Sequence, residues 1–168
     1  MAAPPPLRYE PAHAGLRPDR RLFTVGHSNR SVDDLQSLLA ELDIRSVADV
    51  RRYPRSRRHP QFDRDELAGF LLRHGIAYHW LGRELGGLVE GSYETYMQTA
   101  PFARGLRRLE EMAESAATAL LCAERDPDEC HRRHLADLLL DRGWEVVHLL
   151  GAGEQRLHRP TEPQRRLF

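Results

Sequence analysis

The chain has 168 residues, and its 25 arginines balance 25 acidic side chains with no lysine present. That length holds one domain with a real core rather than two, and the missing lysine excludes a P-loop lysine and any lysine Schiff base. A net charge of zero argues against bulk electrostatic coating of nucleic acid, while leaving room for a local basic patch.

Two cysteines, Cys122 and Cys130, are too few for a disulfide framework or an all-cysteine zinc site. No apolar run reaches the roughly 18 residues of a membrane span, and the Pro- and Arg-containing N-terminus lacks the apolar core of a signal peptide. The expectation is a cytoplasmic monomer or small homo-oligomer with reduced thiols and no membrane partner.

In chain order, residues 1–20 show no hydrophobic period and read as a disordered or loosely docked arm. Leu22 to His27 is a short apolar run, hence a buried strand. Ser31 with Asp34 makes a capping box, followed by Leu35, Leu38, Leu39 and Leu42 on one helical face. Ser46 to Val50 is a second strand. Asp63 with Glu66 predicts a second capped helix, carrying Leu67, Phe70 and Leu71 and ending at Gly75. Ile76 to Trp80 is the third strand, and the glycine-rich residues 81–98 read as a surface loop with a helical turn. Phe102 to Glu114 is helical, and Thr118 to Cys122 is a fourth strand. Asp126, Pro127 and Glu129 predict a helix start that runs on to Asp141. After Gly143, Trp144 to Leu150 is a fifth strand.

This alternation predicts a single Rossmann-like three-layer α/β sandwich with a mostly parallel sheet of about five strands. The arm covers residues 1–20, the α/β domain 21–151 and a C-terminal tail 152–168.

Open parallel sheets bind ligands beyond the carboxyl ends of their strands, and polar residues gather there. The first strand ends in His27-Ser28-Asn29-Arg30, the second in Asp49 followed by five arginines between Arg51 and Arg58, the fourth in Cys122-Ala123-Glu124. Guanidinium forks match phosphate oxygens, so Arg51 and Arg52 in this loop are phosphate-binding candidates, with Tyr53, His59 and Phe62 as stacking groups. Asp49, on an apolar strand, is either a general base or half of a buried ion pair with Arg51 or Arg30. Glu124 is an acid or base candidate, His27 a proton carrier or a structural histidine. Cys122 is a nucleophile or simply core packing. Cys130, His131, Arg132 and His134 lie at the expected helix start, where anions bind. Cys130 and His134, four apart, would hold zinc only with Cys122 or another ligand, and no cofactor is expected. Trp80, Trp144 and His148 are assigned to packing.

Four motifs, Gly26-His27-Ser28-Asn29, Asp49-Val50-Arg51 with Pro54 and Ser56, Gly75-Ile76 with Tyr78 and the Leu81-Gly82 to Gly86-Gly87 stretch, and Leu121-Cys122-Ala123-Glu124 with Pro127 and Cys130-His131-Arg132, stand in this order. Together they resemble domain-of-unknown-function family 488 of bacteria and archaea, over about Phe23 to Leu149. The resemblance implies a Rossmann-like domain and one site drawn from His27, Asn29, Asp49, Arg51, Ser56, Tyr78, Cys122, Glu124, His131 and Arg132.

The reading that follows is an enzyme acting hydrolytically on a nucleotide or nucleic acid, with a modified or damaged base as one target. Arg51, Arg52 and Arg132 would hold phosphate, with Ser28, Asn29, Arg30, Ser56 and His131 lining the substrate site. Tyr78 or Tyr53 would stack a base, Asp49 or Glu124 would activate water, and His27 would carry the second proton. The alternatives are a Cys122-dependent sulfur- or phosphoryl-transfer enzyme and a non-catalytic nucleotide-binding module.

Overall fold

The computed structural model describes residues 20–160, so the expected arm, apart from Arg20, and residues 161–168 lie outside the described residues. Strand β1 (Arg21–Gly26) is buried from its second residue onward. Helix α1 (Val32–Glu41) begins where Ser31 Oγ accepts the Asp34 N–H at 3.0 Å, and Leu35, Leu38 and Leu39 form its buried face. Strand β2 (Ser46–Asp49) is buried throughout, α2 (Arg64–Arg73) buries Leu67 and Leu71, and β3 (Ala77–Trp80) lies at the sheet edge. Two one-turn helices, α3 (Gly82–Leu85) and α4 (Tyr93–Tyr96), fall in the glycine-rich stretch. Then come α5 (Ala100–Ser115), β4 (Thr118–Cys122), α6 (Arg132–Asp141), β5 (Glu145–Gly151) and β6 (Glu154–Leu157).

The sheet order is β3-β2-β4-β1-β5-β6, parallel except for β6, which pairs antiparallel to β5. Strands buried on both faces need a layer of helix on each side. Leu35, Leu38 and Leu39 of α1 and Leu67 and Leu71 of α2 pack on one face. Phe102 and Leu109 of α5 with Leu135 and Leu139 of α6 pack on the other. The result is the expected three-layer α/β sandwich. The chain leaves β1 toward β2 on one side and leaves β4 toward β5 on the other. The neighbouring carboxyl ends of β1 and β4 are therefore the topological switch point, where such folds bind ligands. No helix among the described residues is long and apolar enough to cross a membrane.

Three local expectations are corrected. The sheet has six strands: Glu154–Leu157, expected within a tail beginning at 152, extends it through pairing with β5, followed by a bond from the His158 N–H to the Val146 carbonyl oxygen. Asp63 makes no cap bond of its own; its carboxylate accepts the Ser56 N–H at 2.7 Å and so ties down the arginine loop. The helix expected from Asp126 is a short 3-10 turn over Pro127–Glu129, after which Cys130 is extended (φ −140°, ψ 170°) and α6 starts at Arg132. There the Cys130 sulfur accepts from both the backbone and the side chain of Arg132, and this tertiary arrangement overrides the local helix signal.

At the switch point the strands approach too closely for any side chain on Gly26. A Cβ there would lie 1.7 Å from the Glu124 carbonyl oxygen, whereas one on Gly75 would meet nothing within 4 Å and suffer only from its φ of 73°. Gly26→Ala is therefore expected to lose about 3 kcal/mol or more of stability and Gly75→Ala about 1 kcal/mol. Urea unfolding of the two variants checks that order.

Candidate active site at the switch point

Asp49 ends β2 with no exposed surface, and its carboxylate is fully occupied. It accepts the Arg51 backbone N–H (3.0 Å) and both arms of the Arg51 guanidinium (Nε 2.9 Å, Nη2 2.6 Å), with the Tyr78 hydroxyl at 2.5 Å. Arg51 Nη1 donates to the Phe62 carbonyl oxygen at 2.8 Å. Burial, then Asp49, hold the Tyr78 hydroxyl well above its ordinary range. Of the two readings of Asp49, the buried ion pair is the one found. In this structure the Asp49 carboxylate is saturated by Arg51 and Tyr78, the Arg51 guanidinium is bonded to Asp49 and Phe62, and the Tyr78 hydroxyl is committed to Asp49.

The other expected phosphate ligands are also engaged. Arg30 donates to the carbonyl oxygens of Gly26 and Leu150, fastening β1 to β5. Arg52 donates to those of Gly87 (2.7 Å) and Gly86 (3.1 Å). Ser56 Oγ accepts the His59 N–H. His27 is buried and stacked on Phe62 at 4.4 Å with Nδ1 against the Ser28 carbonyl oxygen, and burial lowers its pKa to about 4. It is therefore uncharged at neutral pH. Ser28 holds a left-handed φ of 47° with its N–H on the Ala123 carbonyl, while Asn29 is exposed. The arginines of the loop that remain exposed are Arg55, Arg57 and Arg58, beside Tyr53, which is 69% exposed.

A second polar cluster centres on Cys130. Its sulfur receives the Arg132 backbone N–H at 3.3 Å and Arg132 Nε at 3.1 Å, and it faces the Cys122 thiol. Arg132 is completely buried, and none of its hydrogen-bond partners among the described residues is a carboxylate. Its remaining bonds go to Thr24 Oγ1 and the carbonyl oxygens of Glu124 and Arg125. A guanidinium never gives up its proton, and a buried charge needs a counter-charge; among the atoms it bonds, the Cys130 sulfur is the one able to ionise. The hydrogen bond from Cys122, followed by Arg132, lowers the Cys130 pKa to about 7 against the effect of burial. Cys122, in the core, is pushed the opposite way by Cys130 and by burial. The two thiols therefore differ in setting: Cys122 is buried and Cys130 half-buried.

Glu124 sits at the exposed rim with Oε2 2.9 Å from Cys122 Sγ. Burial raises its pKa, but the Cys122 bond and the nearby His131 and Arg132 bring the net shift below the ordinary carboxylate range. His131 reaches across the switch point to place Nε2 3.2 Å from the Val50 carbonyl oxygen, and burial lowers its pKa to about 4. His134 turns away, toward Glu94 (3.5 Å) and Tyr93. The i, i+4 pairing of Cys130 with His134 fails because Cys130 precedes the helix.

Behind Arg132 runs a chain the sequence does not announce. Arg132 Nη1 donates to Thr24 Oγ1, 2.6 Å from His148 Nδ1, and His148 Nε2 lies 2.9 Å from His158 Nδ1. His158 Nε2 lies 2.8 Å from Asp137. His148, assigned to packing, is one of the chain's links.

Cys130 and His131 open into a cleft of about 330 Å³ whose other walls include Gly87, Leu88, Tyr93 and His134. Leu88 is 84% exposed at a left-handed φ of 55°, an unusual state for a bulky residue at a cleft mouth.

Fold and site together define an α/β domain with a pair of cysteines at the sheet's switch point. The chain belongs to the family described as domain of unknown function DUF488, whose model matches residues 31–139. No curated protein and no solved structure matches the chain significantly.

Two outcomes follow from this geometry. Asp49→Ala leaves the Arg51 guanidinium buried and unpaired, with an expected loss of about 3–5 kcal/mol in urea unfolding. In native protein, iodoacetamide is expected to modify Cys130, at a rate that rises with pH through about 7 and then levels, while Cys122 stays unmodified. Peptide mass spectrometry over a pH series reads both thiols at once.

Proposed function

We propose that the protein is an enzyme that hydrolyses a phosphate ester of a nucleotide or nucleic acid, with the Cys130 thiolate as nucleophile. The observation that carries this reading is the buried Arg132 guanidinium, whose close counter-charge is the Cys130 sulfur at 3.1 Å, at the wall of an open cleft. The Cys130 sulfur attacks phosphorus, and the bond from phosphorus to the leaving oxygen breaks with its electron pair, the oxygen taking a proton from water. A second water then attacks phosphorus and gives one proton to Glu124, which passes it to the hydroxide left by the first water. The sulfur–phosphorus bond breaks, and its electrons return to Cys130.

Exposed Arg55, Arg57 and Arg58 continue from Arg52, whose guanidinium is bonded to Gly86 and Gly87 beside the cleft. They supply phosphate contacts in place of the sequestered Arg30, Arg51 and Arg132. Tyr53 and Leu88 offer exposed apolar surface to a base.

The test is a screen of nucleotides, single strands and duplexes for hydrolysis, read by mass spectrometry. Wild type is expected to form product, and Cys130→Ser to lower kcat by about 1000-fold or more, with Cys122→Ser within about tenfold of wild type. Replacing Arg55, Arg57 and Arg58 by Ala is expected to raise KM and flatten its salt dependence. Product formed equally well by Cys130→Ser, or no product from any substrate, overturns the proposal.

A further inference from the structure

Cys122 at the end of β4, Cys130 after the 3-10 turn and His131 before α6 each present one metal-binding atom, and these three atoms lie within 4.8 Å of one another. Donors around tetrahedral zinc, at about 2.3 Å for sulfur and 2.0 Å for nitrogen, stand roughly 3.5–3.8 Å apart. Closing the trio on an ion needs a contraction of about 1 Å. The surroundings are those of a metal centre. His131 Nε2 bonds the Val50 carbonyl oxygen, the kind of outer contact that orients a ligating imidazole and leaves its other nitrogen with a lone pair. The N–H groups of Arg132 already point at the Cys130 sulfur, and its buried positive charge offsets the negative charge that two thiolates bring. Two soft sulfurs and an imidazole select zinc or a similar thiophilic ion over magnesium or calcium. The cleft borders Cys130 and His131, so a fourth position is open to water or another small ligand.

We infer that Cys122, Cys130 and His131 bind one thiophilic divalent cation, zinc foremost, and that its binding takes the Cys130 thiolate out of service as a nucleophile. The first half stands on the cluster alone; the second rests on the reading of Cys130 as the attacking group. On binding, the protons held by the Cys122 and Cys130 thiols leave to solvent and both sulfurs donate electron pairs to the ion. No electron is transferred.

The test starts from chelator-stripped full-length protein titrated with Co²⁺. Tetrahedral visible bands and a near-ultraviolet thiolate charge-transfer band, saturating at one ion per chain and displaced by Zn²⁺, are expected. Cys122→Ser, Cys130→Ser and His131→Ala should each weaken binding by about tenfold or more, and His134→Ala should not. Folding of every variant is verified by thermal melting, and half-buried His131 provides the variant least disruptive to the core. Zinc should also block Cys130 alkylation and phosphate-ester hydrolysis, with both restored by chelator. Absence of the cobalt bands in wild type, or His131→Ala binding as tightly as wild type, overturns the site. Hydrolysis that requires zinc overturns its inhibitory role. Zinc bound by this trio in a protein with no hydrolytic activity keeps the site and removes the phosphate-ester reading. Hydrolysis with no metal binding does the reverse.

Discussion

The arrangement turns on one buried cation. Arg132 has no exposed surface and reaches Thr24 on β1, the carbonyl oxygens of Glu124 and Arg125 just past β4, and the Cys130 sulfur before its own helix. A guanidinium in such a place is stable only if each donor finds an acceptor and its charge finds a partner. Its four hydrogen bonds therefore join three separate segments, and its charge adds to the Cys122 hydrogen bond in lowering the Cys130 pKa. Gly26 makes the same junction sterically feasible by letting the Glu124 carbonyl approach where a side chain would stand.

Two polar assemblies flank this point and have different characters. On the β2 side, Asp49, Arg51 and Tyr78 form a closed network in which the carboxylate's acceptor capacity is used and the Arg51 guanidinium is anchored to the Phe62 carbonyl. Closed networks rigidify, and this one holds the arginine loop on the sheet edge. On the β4 side, Cys122 bonds Glu124, Cys130 receives two bonds from Arg132, His131 bonds the Val50 carbonyl, and Cys130 and His131 border the cleft. The first assembly is saturated within itself, whereas the second opens to the surface. The Arg132–Thr24–His148–His158–Asp137 chain extends the second assembly to β5 and the end of β6, so the segment expected as a tail is bonded through to the site.

Much of this was legible in the residues. The capping bond of Ser31, the leucine face of α1, the glycine after α2 and β4 at Thr118–Cys122 all stand where local chemistry places them. So does the gathering of polar side chains at the carboxyl ends. The individual roles were less legible, because type and spacing do not reveal bonding. Asp49 has the composition of a general base and the geometry of a saturated acceptor. Cys130 and His134 stand four residues apart yet share no helical face, since the helix starts after Cys130. His148 looked apolar in its surroundings because a neutral, doubly hydrogen-bonded imidazole packs like one.

The sequence by itself determined the alternating α/β architecture, the parallel sheet and the end of it at which a site lies. Those follow from hydrophobic periodicity and from capping chemistry acting over a few residues. Only the tertiary structure decided which thiol meets the Arg132 guanidinium, which carboxylate is saturated and which histidine joins the cysteines. Each of those outcomes depends on desolvation and on partners contributed by segments distant in the chain. Arg132 and Thr24, 108 residues apart, meet only once β1 and β4 are side by side.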